Sequence, residues 1–162
     1  MKFLDIEIDE KIFKMLVIAS MILIFLYVIF TLISFSMVKP YSIEKNTIIY
    51  TENFKTEISL IHQGNLRLEI IGWAYKEGQS IETFESCFVL RNKDSGKMHI
   101  MKTQMKEVKE LELIDSLYNC SIGGMHAQSF LLGLKKGEYD ICILYKNDSE
   151  SSLIETGEEI KI

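Results

Sequence analysis

Proline is almost missing from this chain: Pro40 is the only one in 162 residues. A proline-rich spacer is thereby excluded, and no low-complexity run takes its place to separate a second domain. Cysteine is scarce and odd in number, at Cys87, Cys120 and Cys142. No disulfide framework is implied, and three free thiols are expected; a Cys87–Cys142 bridge is the geometric alternative if their strands face one another. Histidine occurs only as His62, His99 and His126, without the close spacing on which zinc sites are built, so no metal is expected. His62 reads as a turn residue, His99 as a strand residue facing solvent, and His126 as a polar member of a strand. No serine stands in a Gly-x-Ser-x-Gly elbow, and neither Gly123-Gly124 nor Gly133 to Gly137 has the pattern of a phosphate cradle.

An excess of one charge is also lacking. The chain has 18 basic and 23 acidic residues, a formal net charge of −5, which supplies no polyanion-binding stripe and excludes nucleic acid as a partner. The acidic pairs Glu82 and Glu85, Glu107 and Glu110, and Glu158 and Glu159 read as exposed faces or termini. A glycosidase needs two acids about 5–9.5 Å apart across a sugar cleft, and a small domain without a long insertion offers little wall for one. No catalytic residue and no cofactor are expected, and the chain is read as not an enzyme.

What the chain does have is a long uncharged run. Met15 to Val38 is 24 consecutive residues without a charge, interrupted only by Ser20, Thr31, Ser34 and Ser36. As a helix it reaches roughly 36 Å, enough to cross a hydrocarbon core of about 30 Å with some tilt. Lys14 and Lys39 mark its ends, and Pro40 stops it soon after its exit. The run is longer than a cleaved signal and has no clear small-x-small site, so an uncleaved signal-anchor is expected. Three lysines precede the span and two follow it closely, a bias that favours a cytoplasmic N-terminus and an extracellular C-terminal domain at the cell membrane. Small and hydroxyl residues allow close helix contact, which makes Ala19, Ser20, Thr31 and Ser34 the candidate helix-contact positions; Ser20, Thr31 and Ser34 are read as not all on one stripe.

The expected organisation is a short cytoplasmic tail over 1–14, a transmembrane helix over 15–38, a stalk or first edge strand over 39–53, and an extracellular domain over 54–162. In that domain the recurring signal is period two between polar turns. Strands are expected at Thr47–Thr51, Lys55–Ile61, Leu66–Tyr75, Phe84–Arg91, Lys97–Thr103, Met125–Leu132 and Tyr139–Tyr145. Leu66, Leu68 and Ile70 alternate with Arg67 and Glu69 as a half-buried strand requires. His62-Gln63-Gly64-Asn65 and Asn92-Lys93-Asp94-Ser95-Gly96 have turn chemistry. Met105 to Asn119 fits neither period and reads as a ragged strand, then a crossover with a short helical turn. Glu158–Ile162 reads as an added edge strand. The fold class is an antiparallel immunoglobulin-like β-sandwich preceded by a single transmembrane α-helix.

Gly72-Trp73-Ala74-Tyr75, followed by Gly78, resembles a motif of the small β-sandwich accessory domains of bacterial cell-surface polysaccharide (glycan) biosynthesis membrane proteins. The resemblance continues at Phe88-Val89-Leu90, Gly124-Met125-His126-Ala127 and Leu134 to Ile141, within residues 66–145. It departs at Met105-Lys106-Glu107-Val108, where an arginine and an Asp-Val pair are usual, and at Met125, where an aromatic is. It implies placement beside glycan machinery in a Gram-positive bacterium and carries over no catalytic residue.

The residues themselves add a physical reading. Gly72 lets another strand approach closely, and Trp73 can bury one side of its ring with its N–H at the rim. Trp73 and Tyr75 are the candidate ligand-binding residues, as a stacking platform for sugar. The expected function is a non-catalytic membrane-anchored accessory or scaffold, its partners membrane lipid, an integral membrane protein of glycan machinery, and a surface glycan. The alternatives are a carbohydrate-binding module and a protein-binding component of an envelope or secretion complex.

Overall fold

The computed structural model describes residues 10–43, 48–49, 53–83, 85–108, 118–148 and 150–162, which divide into two units, 1–35 and 36–162. Most of the uncharged run lies in α1, Glu10–Ser36, but the helix ends two residues short of the expected 15–38: Met37 and Val38 belong to the second unit. The 27 residues of α1 reach about 40 Å, and none of its most apolar stretch is buried in protein. A helix apolar on every side and unburied matches a single-pass membrane anchor. The helix starts earlier than the uncharged run. Lys14 and Glu10 form an i,i+4 ion pair of 2.6 Å in its first turn, while residues 1–9 of the expected tail lie outside the described residues.

The Ser20 hydroxyl donates to the Val17 carbonyl at 2.8 Å, and Thr31 donates to the carbonyls of Val28 and Tyr27 at 2.8 and 3.0 Å. Both polar groups are thus satisfied by the helix's own backbone, as lipid surroundings demand. At about 100° per residue, Ser20, Thr31 and Ser34 fall within an arc of about 60° and do share a stripe, contrary to the sequence reading.

The second unit is a β-sandwich. Its strands are β1 (Lys39–Tyr41), β2 (Ile48–Ile49), β3 (Phe54–Gln63), β4 (Arg67–Lys76), β5 (Cys87–Asn92), β6 (Met98–Ile100), β7 (Thr103–Lys106), β8 (Gly124–Phe130), β9 (Glu138–Asn147) and β10 (Glu150–Lys161). One sheet has the order β1-β6-β5-β9-β10-β2 and the other β3-β4-β8-β7. The strands pair antiparallel, apart from β2 beside β10. Leu68, Ile70 and Ala74 of β4 and Met125 and Ala127 of β8 meet Phe88, Leu90, Ile141, Ile143 and Ile154 across the interior. Alternation along each strand puts these side chains on one face and their neighbours on the other.

Several local devices fix the sandwich. Gly72 sits where a Cβ would strike the Glu57 carbonyl oxygen, beside a bulge between Ile58 and Leu60 that lets β3 hug β4. The Tyr139 hydroxyl donates to the Lys135 carbonyl at 2.9 Å, the tyrosine-corner arrangement of Greek-key sandwiches. Buried Asn147 accepts from the backbone N–H groups of Glu82 and Thr83 and donates to the Ser80 carbonyl. It clamps the connection between β4 and β5, where no ladder serves those backbone groups.

Some sequence expectations change here. Lys97–Thr103 is not one strand: β6 and β7 lie in different sheets, and Met101 between them is buried in the core. The C-terminal strand is not a short edge strand, since β10 begins at Glu150 and runs between β9 and β2. His62 belongs to β3 and not to a turn. His99 packs edge-on against Tyr139, with ring centroids 6.4 Å apart, instead of facing solvent. Lys39–Tyr41 and Ile48–Ile49 are the two edge strands of the six-stranded sheet. Within Met105–Asn119, residues 109–117 lie outside the described residues, and most of the expected short helical turn falls among them; a separate 3-10 turn follows at Ser121–Gly123.

Candidate functional site

Of the residues singled out by the sequence, Trp73 lies on the outer face of the four-stranded sheet, Tyr75 is in the core, and Ala19, Ser20, Thr31 and Ser34 lie on α1. Along β4, Leu68, Ile70 and Gly72 turn inward, so Arg67, Glu69, Ile71 and Trp73 turn outward. The register sets Glu69 opposite Gln128, Ile71 opposite His126 and Trp73 opposite Gly124 on β8. On β7, Gln104 lies opposite His126 and Lys106 opposite Gly124. On β3, Glu57 pairs with Trp73 and His62 with Glu69. One face therefore carries an aromatic end and a polar end.

At the aromatic end, Trp73 and Tyr75 stack with centroids 5.6 Å apart and planes inclined by 23°. The fold does bring the two together. Tyr75 is 5% exposed and belongs to the core, and Trp73 is half-buried against it. Val108 fills the space that a side chain at Gly124 would need. The remaining access is to the Trp73 ring, with Tyr75 behind it.

At the polar end, Glu69 Oε1 and His126 Nε2 are 2.7 Å apart and both side chains are partly buried. This bond orients the imidazole and leaves Nδ1 as its other nitrogen. Beside it, Ser36, Lys102, Gln104, His126 and Gln128 line a cavity of about 200 Å³. That is below the range of drug-sized pockets. Arg67 lies over the Phe130 ring at 5.7 Å on the same face. Sequence reasoning read His126 as a polar strand residue and Glu69 as outward-facing but did not bring this group together. Glu69 and His126 are 57 positions apart, and only the pairing of β4 with β8 makes them neighbours; outward alternation on both strands was the available signal.

The outer face of the six-stranded sheet is built differently. Val89, Cys142, Leu144 and Leu153 form a second buried cluster there, with Tyr41, Cys87, Met98 and Ile100 partly buried against it. Burial pushes the Cys87 thiol up to about 12, against a smaller opposing pull from Lys146. It pushes Cys142 up to about 11, with Arg91 opposing. All three cysteines are free, and the first two are held as unreactive thiols.

Arg91 donates to Asp140 at 2.8 Å and to Glu155 at 2.6 Å, and those two acceptors hold its guanidinium well above its ordinary value. Lys93 pairs with Glu159. A cavity of about 190 Å³ among these groups has its charges already matched. A larger open groove of about 640 Å³ is lined by Pro40–Ile43 and Gly96–His99. In it burial, and then Lys97, hold the His99 imidazole below its usual range, and its Nδ1 is buried without a hydrogen-bond partner. No cluster of three metal-ligating side chains exists among the described residues.

No family model matches the chain, and neither a curated relative nor a solved structure of similar fold was found.

Proposed function

We propose that this chain is a non-catalytic, single-pass membrane accessory or scaffold protein, its N-terminus cytoplasmic and its sandwich outside the cell. In this reading it holds or recognises an integral membrane partner in cell-surface glycan biosynthesis or display. The observation that carries the reading is the join between helix and sandwich. Only Met37 and Val38 separate α1 from β1, and both are built into the sandwich: Met37 bridges to Phe130, and Val38 is 8% exposed. A chain with no spacer has little reach, which supports a partner in the membrane over a distant one.

Extraction in several mild detergents, followed by mass identification of co-purifying proteins, tests the reading. An integral membrane protein is expected with the wild-type chain. Recovery of the chain alone under every mild condition overturns it. Protease added to intact cells is expected to digest the sandwich; full protection would reverse the orientation.

A carbohydrate-binding module is the second reading, favoured by the half-buried Trp73 ring on a face with polar neighbours. Trp73 is the only tryptophan, so its fluorescence reports directly on sugar stacking. Saturable quenching by a soluble glycan would select this second reading, and an unchanged spectrum at high glycan would count against it.

A further inference from the structure

We propose that the open groove lined by residues 40–43 and 96–99 binds a small organic acid, its carboxylate held by Lys97 and His99 and its aliphatic body lying along Tyr41, Ile43 and Met98. The groove lies at the β1 edge of the six-stranded sheet, and every residue lining it belongs to the second unit.

Strand register builds its polar side. β1 pairs with β6 so that Pro40 stands opposite His99, and the same register carried two residues further sets Ser42 opposite Lys97. Alternation gives these four residues one common face, with Tyr41 and Met98 on the other. His99 is held edge-on against Tyr139. Its Nδ1 is buried without a hydrogen-bond partner among the described residues, whereas its Nε2 is neither buried nor bonded. Burial, and then the nearby Lys97 ammonium, hold the ring below its usual range, so it is neutral at pH 7 and carries one N–H. A proton on Nδ1 would be a buried donor without an acceptor, the costlier arrangement. The proton therefore resides on Nε2, and the groove is offered a donor.

Charge selects the ligand. Among the described residues Lys97 is the only charged side chain lining the groove, and it has no ion-pair partner. One unmatched cation calls for one negative charge, which a carboxylate supplies and a phosphate monoester exceeds. The Lys97 ammonium, the His99 N–H and the Ser42 hydroxyl supply donors for its two oxygens. The volume of about 640 Å³ is in the range of small-molecule sites, with the apolar wall such sites have. A peptide would instead add a strand to this edge, but β1 is three residues long with Pro40, which has no N–H, at its centre. A free acid is the better occupant.

The test titrates the full chain in detergent micelles, its histidines labelled with nitrogen-15, with hexanoate, and follows the three imidazoles by NMR. Saturable shifts confined to His99 are expected, with a Kd of about 1–10 mM, the affinity so small a ligand permits. Hexanamide, which lacks the charge, and acetate, which lacks the aliphatic body, should both bind more weakly. Lys97→Gln should weaken hexanoate about tenfold, the usual weight of a charge-assisted hydrogen bond, and Ser42→Ala about threefold. Lys136→Gln removes an exposed lysine outside the groove and should leave binding unchanged.

The absence of a saturable His99 shift, or equal shifts of His62 and His126, would overturn the site. Hexanamide binding as tightly as hexanoate would overturn the carboxylate, and acetate doing so would overturn the aliphatic body. Equal losses for Lys97→Gln and Lys136→Gln would reduce the effect to diffuse attraction and overturn the site. Tighter binding of N-acetyl-leucine, which mimics a peptide C-terminus, would overturn the free acid as occupant. Lys97 and Ser42 are both exposed, so unchanged thermal melting is expected for both variants, and weaker binding without a loss of melting temperature is the supporting result.

Discussion

The two sheets of the sandwich have outer faces of opposite character. That of the six-stranded sheet buries Val89, Cys142, Leu144 and Leu153 and ties its margin with the Arg91–Asp140–Glu155 cluster. That of the four-stranded sheet keeps Lys102, Gln104 and Gln128 exposed beside a bonded Glu69–His126 pair. Buried apolar area and matched charge contribute to stability, whereas exposed polar groups contribute almost nothing to it. The six-stranded face is therefore where substitutions should cost stability most.

The largest expected contrast is in thiol chemistry. With its thiol pushed up from 9.0 to about 12, folded Cys87 has about a thousandfold less thiolate at pH 8 than an ordinary cysteine, and its alkylation should be suppressed to match. Labelling before and after denaturation checks this; rapid native labelling of Cys87 would break the contrast. The same shift fixes a pH dependence. A thiol that ionises less readily when folded leaves stability intact below about pH 9 and erodes it as pH climbs toward 12, because the unfolded chain loses its proton first. Denaturant midpoints should fall over that window, and less so in Cys87→Ser.

Next in size is Leu144→Ala, which empties a site only 1% exposed and should cost about 2–5 kcal/mol in denaturant unfolding. Asn147→Ala should cost about 2 kcal/mol, because it strands the backbone groups of Ser80, Glu82 and Thr83 that the amide now serves. Smallest is Gln128→Ala on the opposite face, expected within about 0.5 kcal/mol of wild type. A cost there as large as that of Leu144→Ala would erase the distinction between the faces.

Much of the architecture could be read from local pattern. The span was legible because an uncharged run of that length has few ways to be solvated. β4 and β9 were legible because Leu68 and Ile70, like Ile141 and Ile143, alternate with outward residues. β10 was largely missed, since Ser151 and Ser152 are polar and Gly157 breaks the alternation, and burial there is imposed by β9 and not by composition. The break between β6 and β7 was hidden because Met101 is apolar in any context, and only its place in the core forces the chain to change sheets. At the candidate site, Trp73 and Tyr75 were legible as aromatics two residues apart. Their stacking and the burial of Tyr75 depend on neighbouring strands.

The sequence by itself determined an uncharged helix of membrane-spanning length and a β-rich unit after it, because hydropathy and residue alternation act locally and need no partner to be read. Only the tertiary structure decided that Glu69 bonds His126, that Gln104 and Gln128 close on a cavity with Lys102 and Ser36, and that one outer face is apolar and the other polar. Those arrangements depend on strand register, which joins residues far apart in the chain, and a shift of one residue would have turned each of those side chains to the other face.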